Sequence, residues 1–298
     1  MRVFTRGDLD GLTSLVLLTL VEDVKDIDFA HPKDVQDGKV SVTANDVLTN
    51  LPYVKGCGMW FDHHFSEEMK LKQIGSFKGK FALAPSAARV IYDYYRHPEF
   101  DRFKELLEVT DRLDSGRLTT DEVINPQGWI LLGLTLDPRT GLGPDFRKYF
   151  RWLVEYIKEM PLAKIMEHPT VKKRCEQVLK EQEAFKDLLK KHSRPDGNLI
   201  ITDLRGIKGA PVGNRFLVFT LFPAANAEVR IFDGKLGNTV IAVGHSIFNQ
   251  SASGRPVNIG ELLSKYGGGG HRGAGTCQIP NDQAEATINE IIKHLKEK

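Results

Sequence analysis

The stretch Met59-Trp60-Phe61-Asp62-His63-His64-Phe65 decides the fold of this chain. Its first three residues form an apolar run that predicts a short buried strand. Three side chains able to bind a metal, Asp62, His63 and His64, follow where the strand would become a loop. In an open α/β sheet, ligands bind beyond the carboxyl ends of the strands. We therefore expect this stretch to contribute to a functional site at one sheet edge.

The start of the chain predicts a second strand that ends at the same edge. Arg2-Val3-Phe4-Thr5 is a strand candidate, and residues 12–24 have the apolar spacing of a helix, which together open a βαβ unit. Asp8 and Asp10 lie between them, and alternate side chains of an extended segment point the same way. The pair can therefore face one cation, although a helix N-cap with an acidic first turn also explains it.

A further acidic residue, Asp46, follows another predicted strand. Val40-Ser41-Val42-Thr43 is a strand candidate, and so is Ile27-Asp28-Phe29-Ala30, which ends at His31. Asp46 would then lie at a strand end, unless Asn45-Asp46 is an Asx turn. Carboxylates gathered at one edge repel one another unless a cation or protons intervene.

The helix predicted over residues 100–109 is followed by two more aspartates. Asp111 would be unfavourably placed in the field of the helix dipole, so it needs Arg112 or a cation as a partner. Asp114 precedes Ser115-Gly116 and is expected to be a turn residue.

These stretches supply a ligand set that is rich in hard oxygen atoms and contains one imidazole: Asp8, Asp10, Asp46, His63 and Asp111. Such a set suits Mn²⁺ or Mg²⁺ better than a structural zinc ion. Two such ions about 3.5–4 Å apart lower the pKa of a water molecule and neutralise charge on a phosphoryl oxygen.

The rest of the chain predicts a helical extension and a second domain. An apolar and aromatic stripe within residues 146–157 is typical of a buried core. Residues 193–198 predict a linker, which separates a domain over residues 1–192 from one over residues 199–298. In the second domain, apolar runs such as Phe216-Leu217-Val218-Phe219 predict strands.

Late in the chain, Gly268, Gly269 and Gly270 are followed by His271 and Arg272. Glycine-rich backbone can approach an oxyanion closely through its N–H groups, and the two side chains add donors or charge. The loop is therefore a candidate binding site for phosphate.

The spacing of these residues resembles that of the DHH phosphoesterase superfamily with its associated C-terminal domain, which includes RecJ-like, nano-RNase and exopolyphosphatase-related proteins. The resemblance rests on Asp8-x-Asp10, Asp46, Asp62-His63-His64, Asp111 and the Gly268–His271 loop, and it covers all but the helical middle. It implies an α/β fold, in which a parallel-sheet metal domain is linked to a smaller mixed α/β domain. It also implies an active site in the cleft between them.

The resemblance further implies a role for each matching residue. Asp46 would bridge two metal ions. Asp10, His63 and Asp111 would complete one metal site, and Asp8 would serve the other. Asp62 would orient neighbouring ligands, and His64 would face the scissile phosphate or the leaving oxygen. Gly268, Gly269, Gly270, His271 and Arg272 would bind a second phosphate or the distal end of the substrate.

One position departs from the family pattern. Relatives with this spacing have histidine two residues before the first aspartate, where this chain has Arg6. Arginine keeps its proton and cannot bind a cation. The first ion would therefore bind weakly or with substrate, or Arg6 would replace it, or catalysis would be lost. His31 could substitute as a ligand, but a loop or pocket role is the preferred interpretation.

Composition narrows the class of protein. Hydrophobic residues make up 41% and charged residues 27% of the 298, as is usual for globular proteins. The net charge of +2 gives no general surface for polyanions, so any phosphate recognition must be local. Three dispersed cysteines fit a reducing cytoplasm, and no apolar run is long enough to span a membrane.

These observations favour a divalent-metal-dependent phosphoesterase that hydrolyses a small nucleotide or a short single-stranded oligonucleotide. Long duplex nucleic acid is not an expected partner, because no basic stripe or additional nucleic-acid module is visible. One alternative is an exopolyphosphatase or pyrophosphatase. Another is a nucleotide-binding protein without catalysis, which the altered position Arg6 favours.

Overall fold

The first half of the chain forms a parallel sheet whose central strands are buried on both faces. The computed structural model describes residues 1–68, 70–234, 237–249 and 257–296. The strands of this sheet are β1 (Arg2–Thr5), β2 (Asp26–Phe29), β3 (Asp46–Thr49), β4 (Met59–Asp62) and β5 (Gly79–Phe81). They lie in the order β2-β1-β3-β4-β5, and every neighbouring pair is parallel. The carboxyl ends of all five therefore meet at one edge.

Helices alternate with most of these strands and continue along the chain after the last of them. They are α1 (Leu9–Val21), α2 (Pro32–Gln36), α3 (Phe65–Glu68), α4 (Leu71–Ile74), α5 (Ala87–Tyr95), α6 (Lys104–Asp114), α7 (Thr120–Ile124), α8 (Gly128–Leu134), α9 (Pro144–Glu159), α10 (Leu162–Glu167) and α11 (Pro169–His192), with 3₁₀ turns at Pro98–Phe103 and Pro138–Thr140. The aromatic stripe predicted to be core lies on the buried face of α9, as expected. Within the described residues, no helix combines the length and hydrophobicity that a bilayer-spanning segment needs.

The second half forms a mixed sheet with its own core. Its strands are β6 (Ser193–Asp196), β7 (Leu199–Asp203), β8 (Ala227–Asp233), β9 (Asn238–His245), β10 (Gly269–Gly270) and β11 (Ala274–Pro280). Its helices are α12 (Leu217–Leu221), α13 (Ile259–Ser264) and α14 (Asn281–Lys296). The strand order is β10-β11-β9-β8-β7-β6, in which only β7 and β8 are parallel. The predicted α/β class, with a parallel-sheet domain followed by a domain built on a mixed sheet, is confirmed.

Contacts divide the chain into two units at positions that differ from the predicted boundary. The first unit contains Met1–Leu118 and Pro126–Val178, and the second contains Thr119–Asn125 and Leu179–Lys298. The division falls inside α11, and residues 193–198 are not a linker. Ser193–Asp196 is instead strand β6, which pairs antiparallel with β7 through a tight turn at Gly197, where φ is 64°.

Two predicted strands are wrong. The third strand lies at Asp46–Thr49 rather than at residues 40–43, and it is buried at every position. Parallel strands that are buried on both faces usually have continuous apolar sequences, whereas residues 40–43 alternate between apolar and polar side chains. They are therefore poorly suited to this position in the sheet. The run Phe216-Leu217-Val218-Phe219 contributes to helix α12, because a short apolar run alone does not distinguish a strand from a buried helix.

Candidate metal centre and active site

Asp10 is held in place by the first turns of two helices. It lies in the first turn of α1 and is buried. Its carboxylate accepts hydrogen bonds from the backbone N–H groups of Ala87 and Ala88, at 2.9 and 2.8 Å, at the start of α5. Gly11 permits this arrangement, because a Cβ there would lie 2.1 Å from the carbonyl oxygen of Arg6. The first turn of α1 can therefore pack directly against the end of β1.

Asp10, His63 and Asp114 converge in a single cluster. One ligand atom from each residue lies within 4.8 Å of the others. His63 Nε2 is 3.6 Å from Asp10 Oδ2 and 3.4 Å from Asp114 Oδ2. The other ring nitrogen, Nδ1, is 3.0 Å from the carbonyl oxygen of Ala84. This bond orients the imidazole so that Nε2 faces the two carboxylates.

The electrostatics of the cluster indicate that it suits a cation. Burial, together with the charges of Asp114 and Asp8, raises the pKa of Asp10 to about 7. Burial lowers the pKa of His63, but the carboxylates of Asp114, Asp10 and Asp62 outweigh it and hold that pKa above its ordinary value. Two carboxylates and one imidazole form the oxygen-rich donor set that Mn²⁺ or Mg²⁺ accepts. A divalent cation would relieve the repulsion between the carboxylates, so these three residues fit a metal centre.

Next to the cluster, Asp62 and His64 form a second pair. Asp62 ends β4 and is completely buried, and its Oδ1 lies 2.7 Å from His64 Nδ1. Its Oδ2 is also buried and has no hydrogen-bond partner among the described residues. The short contact fixes the orientation of the His64 ring.

Asp8 is neutralised by the protein itself. It is the N-cap of α1, and its Oδ1 accepts hydrogen bonds from the N–H of Gly11 at 2.9 Å and from the side-chain amide of Asn50 at 3.0 Å. Its Oδ2 is 3.2 Å from Nε of Arg6. Both oxygens of this predicted ligand are therefore engaged within the chain. His31, the other histidine considered for this site, caps α2 by accepting a hydrogen bond from Lys33 N–H at 3.2 Å.

The prediction that Asp46 bridges two metal ions does not agree with the structure. Asp46 begins β3 and pairs in register with Arg2, the first residue of β1, so it lies at the amino-terminal edge of the sheet. A strand of four residues places it about 10 Å from the opposite edge. Both carboxylate oxygens form ion pairs with Arg2 at 2.9 Å, and Oδ2 also accepts hydrogen bonds from Thr43.

At the carboxyl end of β3 the structure instead places Asn50. This residue is fully buried, adopts a left-handed backbone conformation with φ of 57°, and donates its backbone N–H to the carbonyl oxygen of Phe61. Asparagine tolerates this conformation better than most residues. Asn50 is a site residue that the sequence interpretation missed. The signal for it was its place directly after the buried run Val47-Leu48-Thr49.

The predicted ligand Asp111 is also engaged elsewhere. Its Oδ2 is bound by Arg89 Nε and a terminal nitrogen at 2.9 and 2.6 Å, and its Oδ1 accepts a hydrogen bond from Ser86 at 2.7 Å. Asp114, three residues later, lies next to His63 and is the last residue of α6 rather than a turn residue. The metal cluster therefore contains Asp114 in the position that the resemblance implies for Asp111.

The glycine loop of the second unit is tightly packed rather than open. The N–H groups of Gly267, Gly268 and His271 donate to the carbonyl oxygens of Ser264, Leu263 and Ala274. A Cβ at Gly268 would lie 2.3 Å from the carbonyl oxygen of Thr276. These N–H groups are thus used within the unit, which corrects the expectation of exposed donors. Arg272 is exposed, and His271 is partly exposed.

A solved structure resembles this chain over its whole length. The pGpG-specific phosphodiesterase PggH from Vibrio cholerae is 37% identical in sequence, and the match covers 99% of each chain with a TM-score of 0.75. The chain belongs to the DHH phosphoesterase family. As a member of this family it is a metal-dependent phosphoesterase, which agrees with the cluster of Asp10, His63 and Asp114.

Two more distant members of the DHH group share the fold. A DHH domain from a protein described as a member of a ribosomal protein family is 13% identical, covers 98% of this chain and 86% of its own, and has a TM-score of 0.65. RecJ from Thermus thermophilus, solved with Mn²⁺, is 14% identical, covers 100% of this chain and 52% of its own, and has a TM-score of 0.51. No protein-family model matches the chain, and no curated protein sequence matches it.

Proposed function

We propose that this DHH protein hydrolyses the phosphodiester bond of a linear dinucleotide, with pGpG as the first substrate to test. The observation that carries the proposal is the cluster of Asp10, His63 and Asp114 beside the Asp62–His64 pair. The full-length similarity to a pGpG-specific phosphodiesterase supports this choice of substrate. Hydrolysis of pGpG adds one water across the central P–O bond and yields two molecules of GMP.

Asp10, His63 and Asp114 would hold the divalent cation, for which Mn²⁺ is our first choice because the set combines oxygen with imidazole. The cation supplies Lewis acidity, which lowers the pKa of water and neutralises charge on a phosphoryl oxygen. Ala84 fixes the His63 ring through its carbonyl oxygen, and the N–H groups of Ala87 and Ala88 fix Asp10. His63 and Asp10 are therefore oriented before the cation arrives.

We assign His64 to the transfer of a proton to the leaving oxygen. Because Asp62 engages Nδ1 at 2.7 Å, the proton would leave from Nε2 on the other side of the ring. The buried carboxylate of Asp62 would hold the His64 ring through Nδ1, so that Nε2 stays directed away from Asp62. Asp62 thus acts by orienting His64.

Recognition of the nucleotide is assigned to the Gly268–His271 loop and Arg272. Because several N–H groups of the loop are used within its own unit, the side chains of His271 and Arg272 are the proposed donors to phosphate.

We expect the reaction to occur in the cytoplasm, since Cys57, Cys175 and Cys277 are free thiols.

The test is turnover by the purified protein in Mn²⁺, with pGpG, RNAs of three to six nucleotides, 3′-phosphoadenosine 5′-phosphate and polyphosphate as parallel substrates. We expect GMP from pGpG and a kcat/KM that falls as the oligonucleotide lengthens. Phosphate released from polyphosphate alone would show that the exopolyphosphatase alternative is correct. Tight binding of pGpG without turnover in Mn²⁺, Mg²⁺ or Co²⁺ would show that the protein is a nucleotide-binding protein without catalysis.

A further inference from the structure

Among the described residues of the first unit, one cluster of carboxylate and imidazole donors lies at this edge of the parallel sheet, where the family resemblance implies two cation sites. Beside the cluster of Asp10, His63 and Asp114, the remaining positions of a second site are Asp8 and Asn50. Asn50 is a neutral amide, and both oxygens of Asp8 are already engaged within the chain. A second divalent cation would have to displace these contacts and would find only one carboxylate.

Arg6 places a permanent positive charge at this same point. Its Nε lies 3.2 Å from Asp8 Oδ2, and its side chain is 30% exposed, so it can be reached from solvent. The guanidinium cannot lose its proton, and its two terminal nitrogens carry four further N–H donors. A guanidinium at this distance from Asp8 would also repel a second divalent cation.

Two other aspartates that the sequence predicted as metal ligands are each paired with an arginine. Asp46 is paired with Arg2, and Asp111 is paired with Arg89. Arg6 differs from Arg2, which lies at the amino-terminal edge, because it contacts an aspartate at the carboxyl edge of the sheet, in the field of Asp10 and Asp114. Its charge is therefore available where a phosphate would meet the cation.

We propose that Arg6 takes the place of the second metal ion, so that the enzyme uses one divalent cation and one guanidinium. This inference rests on the proposed phosphodiesterase function. The terminal nitrogens of Arg6 would donate to a non-bridging oxygen of the scissile phosphate. Asp8, which is itself held by Asn50, would hold the guanidinium in position. In the reaction, the oxygen of water bonds to phosphorus, the bond to the leaving oxygen breaks, and His64 supplies the proton to the leaving oxygen. The proton that water loses restores His64 by exchange with solvent.

The first measurement is the number of Mn²⁺ ions per chain, counted by equilibrium dialysis and checked by electron paramagnetic resonance. We expect one ion and the spectrum of isolated Mn²⁺. The comparison is the double variant Arg6→His/Asn50→Asp, which supplies an imidazole and a carboxylate at the second site. We expect it to bind two ions with the spectrum of a spin-coupled pair. Two coupled ions in the wild-type protein would overturn the proposal, whether or not pGpG is a substrate.

The second measurement separates the charge of Arg6 from a structural role. We expect Arg6→Gln to keep one Mn²⁺ and the wild-type melting temperature within a few degrees, and to lower kcat about 100-fold or more, as loss of one oxyanion donor does elsewhere. We expect Arg6→Lys, which keeps the charge but not the planar fork, to retain part of that rate. An unchanged kcat in Arg6→Gln would overturn the proposal while leaving the phosphodiesterase function intact. If wild-type protein with one bound ion hydrolyses no phosphoester, the proposed function fails instead.

Discussion

Replacing Asp114 by asparagine should weaken metal binding strongly and stability little. Replacing Asp111 by asparagine should do the reverse. Asp114→Asn removes one of the three proposed ligands. It should therefore weaken Mn²⁺ binding by more than the 10–100-fold loss that is typical when a residue that only orients a ligand is changed. Asp111→Asn leaves the cluster intact, so its affinity for Mn²⁺ should stay within about fivefold of the wild-type value. The two residues are three positions apart on α6, which makes them a matched pair.

The stability of the metal-free proteins should show the reverse order. The ligand oxygens of Asp10 and Asp114 lie no more than 4.8 Å apart, so at an effective dielectric constant of about 20 the repulsion between the two ionised groups is at least roughly 3.5 kcal/mol. At 3.4 Å the attraction between Asp114 and a protonated His63 is roughly 5 kcal/mol, so the loss in Asp114→Asn should not exceed about 1.5 kcal/mol. Asp111→Asn breaks two charged hydrogen bonds from the partly buried Arg89 and should cost about 2–3 kcal/mol.

Calorimetric titration with Mn²⁺ gives the affinities, and urea unfolding in a chelator gives the free energies. The titrations use conditions under which both variants are folded, so that a loss of structure is not mistaken for a loss of binding. If Asp111→Asn abolishes Mn²⁺ binding while Asp114→Asn retains it, our assignment of ligands is wrong and the one implied by the family resemblance is right.

Three further variants test other parts of the site. Because Arg2 lowers the pKa of Asp46, the pair stabilises the protein above the ordinary pKa of 3.8, and this stability is lost as the pH falls through the lowered value. In urea unfolding, Asp46→Asn should therefore cost about 1–2 kcal/mol at pH 7 and progressively less below about pH 4, with unchanged Mn²⁺ affinity. Asp62→Asn should lower kcat about 10²–10⁴-fold while Mn²⁺ affinity stays near the wild-type value, because the ring of His64 loses its anionic partner. Gly11→Ala should reduce the free energy of unfolding by about 2–3 kcal/mol, because its Cβ would meet a carbonyl oxygen of the β1–α1 turn at 2.1 Å. Equal stability of that variant and the wild type would contradict the packing described for α1.

Two of the strands that lead into the site could be predicted from the sequence alone. Arg2–Thr5 and Met59–Asp62 each contain adjacent apolar residues and lead to metal-competent side chains within a few positions, and both are strands of the central sheet. The motifs at their carboxyl ends, Asp8-x-Asp10 and Asp62-His63-His64, therefore lie at one sheet edge, as the sequence predicted.

The third strand could not be predicted in the same way, because two adjacent segments compete for it. Residues 40–43 have suitable side chains for a strand, but Asp46–Thr49 pairs with β1 and gains the ion pair between Asp46 and Arg2. A displacement of six residues moves Asp46 from one end of the strand to the other. Only the register of the sheet reveals this, and the register depends on contacts with residues that are distant in sequence.

The sequence predicted Asp111 in the cluster, whereas the structure places Asp114 there, and this difference has another physical cause. The two residues are one helical turn apart, so either could face the cluster if the helix extended through both. The sequence predicts a helix that ends at residue 109, whereas α6 continues to Asp114. Arg89 on α5 then pairs with Asp111, and that choice of partner is a tertiary contact that spacing alone does not contain.

The most direct test of the metal centre is a crystal of the protein grown with Mn²⁺ and measured at the manganese absorption edge. We predict one anomalous peak per chain, bound by Asp10, His63 and Asp114, with Arg6 beside Asp8. Two peaks about 3.5–4 Å apart, or a peak bound by Asp111, would contradict the account of a single cation.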